Sequence, residues 1–176
     1  MASTELIIRP PRTSELVLLP LIELDAAARF KEVGLNIDHL DACLPLATFQ
    51  KALHHGHLWI AEHQDELIAF LLAEVLQGHA FIKEVDVCCH KAGLGIGKQL
   101  IAHAGSYFSH GYPDLYLTTF LDVPWNAPYY TRLGFEALQD TELPAPLREV
   151  LRTEVASGLN QMPRIVMRKQ LPSKTP

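Results

Sequence analysis

Between Lys91 and Lys98 the chain sets two lysines around three glycines at alternate positions, Gly93, Gly95 and Gly97. Glycine lets backbone N–H groups come close to an anion with no Cβ in the way. A helix starting behind them adds roughly half a positive charge at its N-terminus. Ile96, Leu100, Ala104 and Phe108, four apart, outline one face of such a helix. The stretch therefore reads as a phosphate-binding loop. Just upstream, Ile82-Lys83-Glu84-Val85-Asp86-Val87 reads as a strand, with Ile82, Glu84 and Asp86 expected on one side and Lys83, Val85 and Val87 on the other. A buried strand disfavours unpaired charge, so two acids on one face are candidates for proton transfer, or else for salt bridges with nearby Lys or Arg. Downstream, Tyr130 offers a hydroxyl that can give up a proton.

Two common nucleotide loops are excluded by residues in view. A Rossmann G-x-G-x-x-G counted from Gly93 needs a glycine where Lys98 stands. A Walker G-x-x-x-x-G-K-[ST] ending on Gly97-Lys98 needs glycine at Ala92 and Ser or Thr at Gln99. What His90-Lys91-Ala92-Gly93-Leu94-Gly95, followed by Ile96-Gly97, does resemble is the pyrophosphate motif Q/R-x-x-G-x-G/A of the GNAT superfamily of acyl-CoA-dependent N-acetyltransferases. His90 stands where Gln or Arg is usual. Asn126-Ala127-Pro128-Tyr129-Tyr130-Thr131-Arg132-Leu133-Gly134-Phe135 is similar to the family's later helix ending in Y-x-x-x-G-F, with Tyr130 four residues before Gly134. The family's Asn seven before the Tyr is Val123 here; Asn126, four before, either does part of that work or caps the helix.

The resemblance implies acetyl-CoA as co-substrate, its phosphates held by His90, Lys91, Ala92, Gly93, Leu94, Gly95, Ile96, Gly97 and Lys98. The backbone of Val85 and Val87 would pair with the pantetheine arm as an added strand, one N–H of that strand polarising the thioester, and Asn126 would join the cofactor contacts. Tyr130 would protonate the departing thiolate, with Tyr129 pointing elsewhere and packing. Glu84 or Asp86, directly or through water, would take the proton of the attacking amine, which must be neutral to react. The first two helices and their connection would form part of the acceptor wall. The implied reaction is direct transfer, in a ternary complex, to a primary amine of a small molecule or peptide. Two other readings stand beside it: a CoA-binding sensing module without turnover, and a transferase for a longer acyl chain. Family members often dimerise, so a homodimer is carried as an expectation.

Length and composition agree with one soluble globular domain spanning 1–176. A formal charge of −5 argues against nucleic-acid binding and mildly favours a cationic acceptor. No apolar run approaches the roughly 20 residues of a membrane span, and Met1–Pro10 lacks the apolar core of a leader. Cys43, Cys88 and Cys89 form no C-x-x-C pattern, so reduced thiols in a cytoplasmic protein are expected. An acyl-cysteine route lacks an evident His partner. His54, His55 and His57 lack an acidic or Cys partner, and no metal is expected. Trp59 and Trp125 line either core or pocket.

The elements that must position these residues follow in order. Strands are expected at Glu5–Arg9, Leu58–Ala61, Leu67–Ala73, His79–Val87, Leu115–Phe120, Phe135–Leu138 and Arg164–Met167. Helices are expected from Ser14 or Pro20 to Gly34, over Leu46–His55, from Ile96 towards Gly111, around Tyr130, and over Pro144–Ser157. The fold class is α/β (or α+β), a mixed, mostly antiparallel sheet with helices on both faces. The polar residues from about 170 to 176 are expected to form a loose tail.

Overall fold

Continuous apolar runs, buried on both faces, with two-residue turns between them build the centre of the molecule. The computed structural model describes residues 6–35 and 43–172. Its strands are β1 (Ile7–Arg9), β2 (Leu58–His63), β3 (Glu66–Leu76), β4 (His79–Val87), β5 (Asp114–Phe120), β6 (Glu136–Ala137) and β7 (Arg164–Gln170). Gln64 and Asp65 both adopt positive φ, as do Gln77 and Gly78, which is what tight two-residue hairpins joining β2 to β3 and β3 to β4 require. The sheet runs β1-β2-β3-β4-β5-β7-β6, and only β4 and β5 are parallel. The mixed, mostly antiparallel architecture is therefore the one expected from the sequence.

Five helices cover the two faces: α1 (Leu19–Ala28), α2 (Leu46–His54), α3 (Ile96–Phe108), α4 (Ala127–Arg132) and α5 (Ala145–Ala156). Pro20 occupies the first turn of α1, where its missing N–H has no partner to lose, and a 3-10 stretch, Thr13–Leu18, precedes it. On one face Ile96, Leu100, Ala104 and Phe108 of α3 pack with Ile82, Leu115, Leu117 and Met167. On the other, Leu19, Ile22, Phe49 and Ala52 of α1 and α2 cover Leu58, Ile60, Phe70 and Leu72. Leu147 of α5 meets Phe81, Tyr116 and Val166 farther along that same face.

Three expectations need correction. Ile82 pairs with Ala73 but Glu84 pairs with Leu72, so Lys83 is an extra residue in β4, a β-bulge. The bulge changes the parity: Ile82 faces α3, whereas Glu84 and Asp86 lie with Leu72 and Phe70 on the α1 face. Second, β7 continues through Lys169 to Gln170, and Leu171 is buried beside α3, so the sheet holds the first of the residues assigned to a tail; 173–176 lie outside the described residues. Third, the strand expected from Glu5 begins at Ile7, with Glu5 itself outside the described residues. No described helix is long and apolar enough to cross a membrane.

Candidate active site

β4 is paired to β5 only at Ala80, Phe81 and Ile82, while β3 stays paired to β4 as far as Val87. Among the described residues, no strand lies beside the β5-facing edge of β4 from Lys83 onward. The bulge at Lys83 sits where the two strands part, and bulges bend the strand that carries them. The gap becomes a cleft of about 2200 Å³, reaching from the glycine turn to α1 and α5.

At one end the cleft is built from backbone. Gly93 and Gly95 have φ of 80° and 77°, the left-handed region that side chains disfavour, and no protein atom lies within 4 Å of a Cβ placed on either. Gly95 caps α3, whose first N–H groups have no carbonyl of their own helix to meet. Ala92, Ile96, Gly97, Lys91 and Lys98 line the same end, and neither lysine makes an ion pair among the described residues. A Cβ on Gly97 would stand 3.2 Å from the Tyr129 hydroxyl, so the third glycine makes room for that side chain. His90 and Leu94 are placed off the cleft wall. The His90 Nε2 lies 3.5 Å from Glu66 Oε1, and Leu94 is 66% exposed.

The other end is built from side chains. Val85 and Val87 turn towards α3, and Glu84 and Asp86 towards α1 and α5. Burial, then the charge of Glu23 on α1, pushes the Glu84 carboxyl up to about 8, with Arg164 opposing. Burial, then Glu84, then Glu23 hold Asp86 well above the carboxylate range, and its Oδ2 is buried without a hydrogen-bond partner. Glu23 itself accepts one bifurcated hydrogen bond from the Leu44 N–H, at 2.9 and 3.1 Å to its two oxygens, and burial raises its pKa against it. Arg164, its side chain 9% exposed, is paired to Glu154 at 3.1 Å. Its Nη2 also donates to Thr118 Oγ1 at 3.3 Å, and that hydroxyl donates to Glu154 at 2.7 Å.

Tyr130 enters the cleft from α4, its ring 5.8 Å from Phe135. Burial first and Glu84 next keep its phenol pKa above the ordinary value, so it holds its proton throughout the neutral range. Tyr129 packs against the core, as expected, and lines the cleft as well. Asn126 sits at the helix start without a side-chain cap, which removes capping as its task, and it faces the cleft.

Sequence reasoning missed Glu23, Arg164 and Glu154, which come from three separate elements with no shared motif. An arginine set directly before the apolar run Ile165-Val166-Met167, as Arg164 is in β7, was the available signal. Of the first two helices and their connection, expected to wall the acceptor, α1 lines the cleft through Glu23, Leu24 and Ala27 and the connection through Cys43 and Leu44, whereas α2 is spent on the core through Phe49 and Ala52. Trp59 is buried in the core, while Trp125 lines the cleft with Arg29 over its ring at 4.2 Å. Burial drives Cys88 up to about 11, and burial with Asp25 raises Cys89, which keeps both as poorly nucleophilic thiols.

Residues 54–137 match the family model of the acetyltransferase (GNAT) domain, in line with the resemblance read from the sequence. Among solved structures, N-acetylglutamate synthase from Neisseria gonorrhoeae, complexed with coenzyme A and N-acetyl-glutamate, superposes with a TM-score of 0.70 at 16% identity. The match covers 97% of this chain but 36% of the synthase, so the chain spans about a third of that relative's length. Rv2747 from Mycobacterium tuberculosis, in complex with CoA, gives 0.66 at 20% identity over 94% of this chain and 99% of its own. The ribosomal-protein-S18-alanine N-acetyltransferase from Escherichia coli gives 0.66 at 17%, over 95% and 94%. At these identities the likeness is one of fold.

Proposed function

We propose that this chain transfers an acetyl group from acetyl-CoA to a primary amine on a cationic small molecule or peptide, by direct attack within a ternary complex. The observation that carries the reading is the parting of β4 from β5 at Lys83, which joins a cationic, backbone-lined end to a carboxylate-lined end in one cleft. The residues fit the donor: two left-handed glycines leave open space at a helix N-terminus, and five residues of β4 edge stand ready to pair with an extended arm. Gly93, Gly95, Gly97 and the neighbouring N–H groups would hold the pyrophosphate, with Lys91 and Lys98 adding charge. Bound there, acetyl-CoA supplies the activated acyl group.

The remaining work falls to side chains. Tyr130 keeps its proton on Oη and can deliver it to a departing thiolate. Glu84, with a pKa near neutral pH, is suited to take a proton from the amine, directly or through water. Asp86, raised well above the carboxylate range by burial and then by Glu84, stands beside it, and Glu23 adds charge that draws in a cation. Three carboxyls face one arginine that Glu154 already occupies, so an anionic acceptor such as glutamate is not expected. Release of free thiol from acetyl-CoA against a panel of amines tests the reading. Turnover with diamines or basic peptides, and none with acidic amino acids, is the expected result. CoA binding without turnover on any amine would make the chain a sensing module instead.

A further inference from the structure

His90 is turned away from the cleft, and what it is turned towards is a second constellation. A ring nitrogen of His90, the Cys88 sulfur and a carboxylate oxygen of Asp25 all lie within 4.8 Å of one another. Among the described residues this is the only place where three such atoms converge. They come from distant parts of the chain: Asp25 from α1, Cys88 and His90 from the turn that follows β4. Glu66, at the start of β3, brings its Oε1 to 3.5 Å from the His90 Nε2.

The surrounding contacts fix the group in place. Asp25 Oδ2 accepts the Cys89 N–H at 2.6 Å, and Cys89 Sγ donates to the Asp25 carbonyl at 2.9 Å, tying α1 to the turn. The Cys88 N–H donates to the Ile68 carbonyl at 2.9 Å, anchoring the thiol's backbone to the sheet. Glu66 near Nε2 leaves Nδ1 as the nitrogen for a ligand, the arrangement by which a carboxylate orients a metal-bound histidine.

We propose that Asp25, Cys88 and His90 form a site for a borderline-soft divalent cation of the zinc type, with Glu66 orienting His90 and water completing the coordination. One thiolate, one imidazole and one carboxylate suit zinc or cobalt and not magnesium or calcium, which take oxygen ligands. Zinc holds these donors at about 2.0–2.3 Å, which sets them roughly 3.5 Å apart. The donors need only draw together modestly: Asp25 and His90 are both exposed, and Asp25 Oδ1 is left for an ion while Oδ2 accepts the Cys89 N–H. An ion here would clamp α1, which carries Glu23 and Leu24 into the cleft, to the residues that lead into the glycine turn. The site makes no use of the acetyl-transfer reading and stands apart from it.

The test uses reduced, metal-stripped full-length protein titrated with cobalt(II), then with zinc(II). The expected result is one saturable equivalent of cobalt per chain with a thiolate-to-cobalt charge-transfer band, displaced by zinc. Cys88→Ser should remove the band, and His90→Ala, which changes an exposed side chain, should lose tight binding in a chain whose circular dichroism is unaltered. Glu66→Gln should weaken binding by roughly 10–100-fold, as for other partners that orient a ligand. Zinc at saturation should raise the Tm of wild type and leave that of His90→Ala unchanged. Absence of a saturable cobalt signal overturns the proposal. So does a band that survives Cys88→Ser and vanishes in Cys43→Ser or Cys89→Ser, or binding that follows His54 and His55 instead of His90.

Discussion

On the α3 side of the cleft, what the chain offers an incoming anion is gathered within Lys91 to Lys98, and most of it is backbone. On the α1 side the offering is carboxyl groups and one arginine, gathered from Glu23, Glu84, Asp86, Glu154 and Arg164. The first region is made by local conformation: two glycines at positive φ and a helix start. The second exists only once the sheet has assembled, and its members perturb one another through space. Backbone recognition suits a ligand that is always the same, and an assembled side-chain wall suits one that differs between relatives. Tyr130 stands between the two, and its substitution is the strongest way to separate them. Tyr130→Phe should lower turnover by the ~10²–10⁴-fold typical of a general acid while CoA affinity, measured by calorimetry, stays close to wild type. Near-normal turnover would leave Tyr130 a packing residue.

The backbone end breaks differently. Gly95→Val forces a branched side chain to a φ of 77° and fills the open space beside α3. Loss of two charge-assisted hydrogen bonds at roughly 1.5–3 kcal/mol each weakens CoA binding about 100-fold or more. Turnover at saturating donor should fall far less, and unchanged CoA affinity in a folded variant would remove the phosphate from this turn.

The carboxylate end sharpens the contrast through pH. Wild-type turnover should decline as pH falls through about 8, where Glu84 takes up its proton. Glu84→Gln should be roughly tenfold slower at neutral pH, less than the usual range for a general base because the open cleft lets water share the task, and should approach wild type at high pH. If its profile overlays wild type while that of Asp86→Asn does not, Asp86 is the base.

The smallest effect is on stability. A carboxyl whose pKa is higher in the folded chain than in the unfolded one binds protons preferentially when folded. Its contribution is therefore lost as pH climbs from the ordinary carboxylate range through the raised value. For Asp86, buried beside Glu84 and Glu23, that loss falls above about pH 4. Asp86→Asn should match wild type in Tm at pH 4 and exceed it at pH 8 by a few degrees, at about 2–4 °C per kcal/mol for a chain of this size. A lower Tm at pH 8 would mean that the carboxylate is stabilised by a partner.

The same contrast explains what could be read from the residues alone. Gly93, Gly95, Lys91 and the α3 face are legible because spacing along the chain is the structure there. Tyr130 is legible because it travels with Gly134 and Phe135 in one short segment. Glu23 and Arg164 are not, because nothing in α1 or β7 alone refers to the strand they meet. Glu84 and Asp86 were legible as a pair, yet Ile82 was put on their side because strict alternation was carried across Lys83. Tyr129 was assigned to packing alone, since a helical turn gives a direction but not what stands there; Gly97, lacking a side chain, is what admits it.

The extra residue in β4 has a further consequence, for changes in chain length as distinct from changes in residue type. Replacing Lys83 alters one side chain whose Nζ lies 3.1 Å from Glu74, at the rim. Deleting it would leave Glu84 opposite Leu72 and Asp86 opposite Phe70, with every later residue on its present side, but would restore a regular ladder with β3. A strand without the bend has no reason to part from β5 after Ile82, so the shortened chain should zip its sheet closed and remain well folded. Lys83 is in that sense a spacer whose identity matters little and whose presence matters a great deal. Relatives that vary in length at this point should differ in whether they have a cleft at all, and relatives that vary only in residue should not.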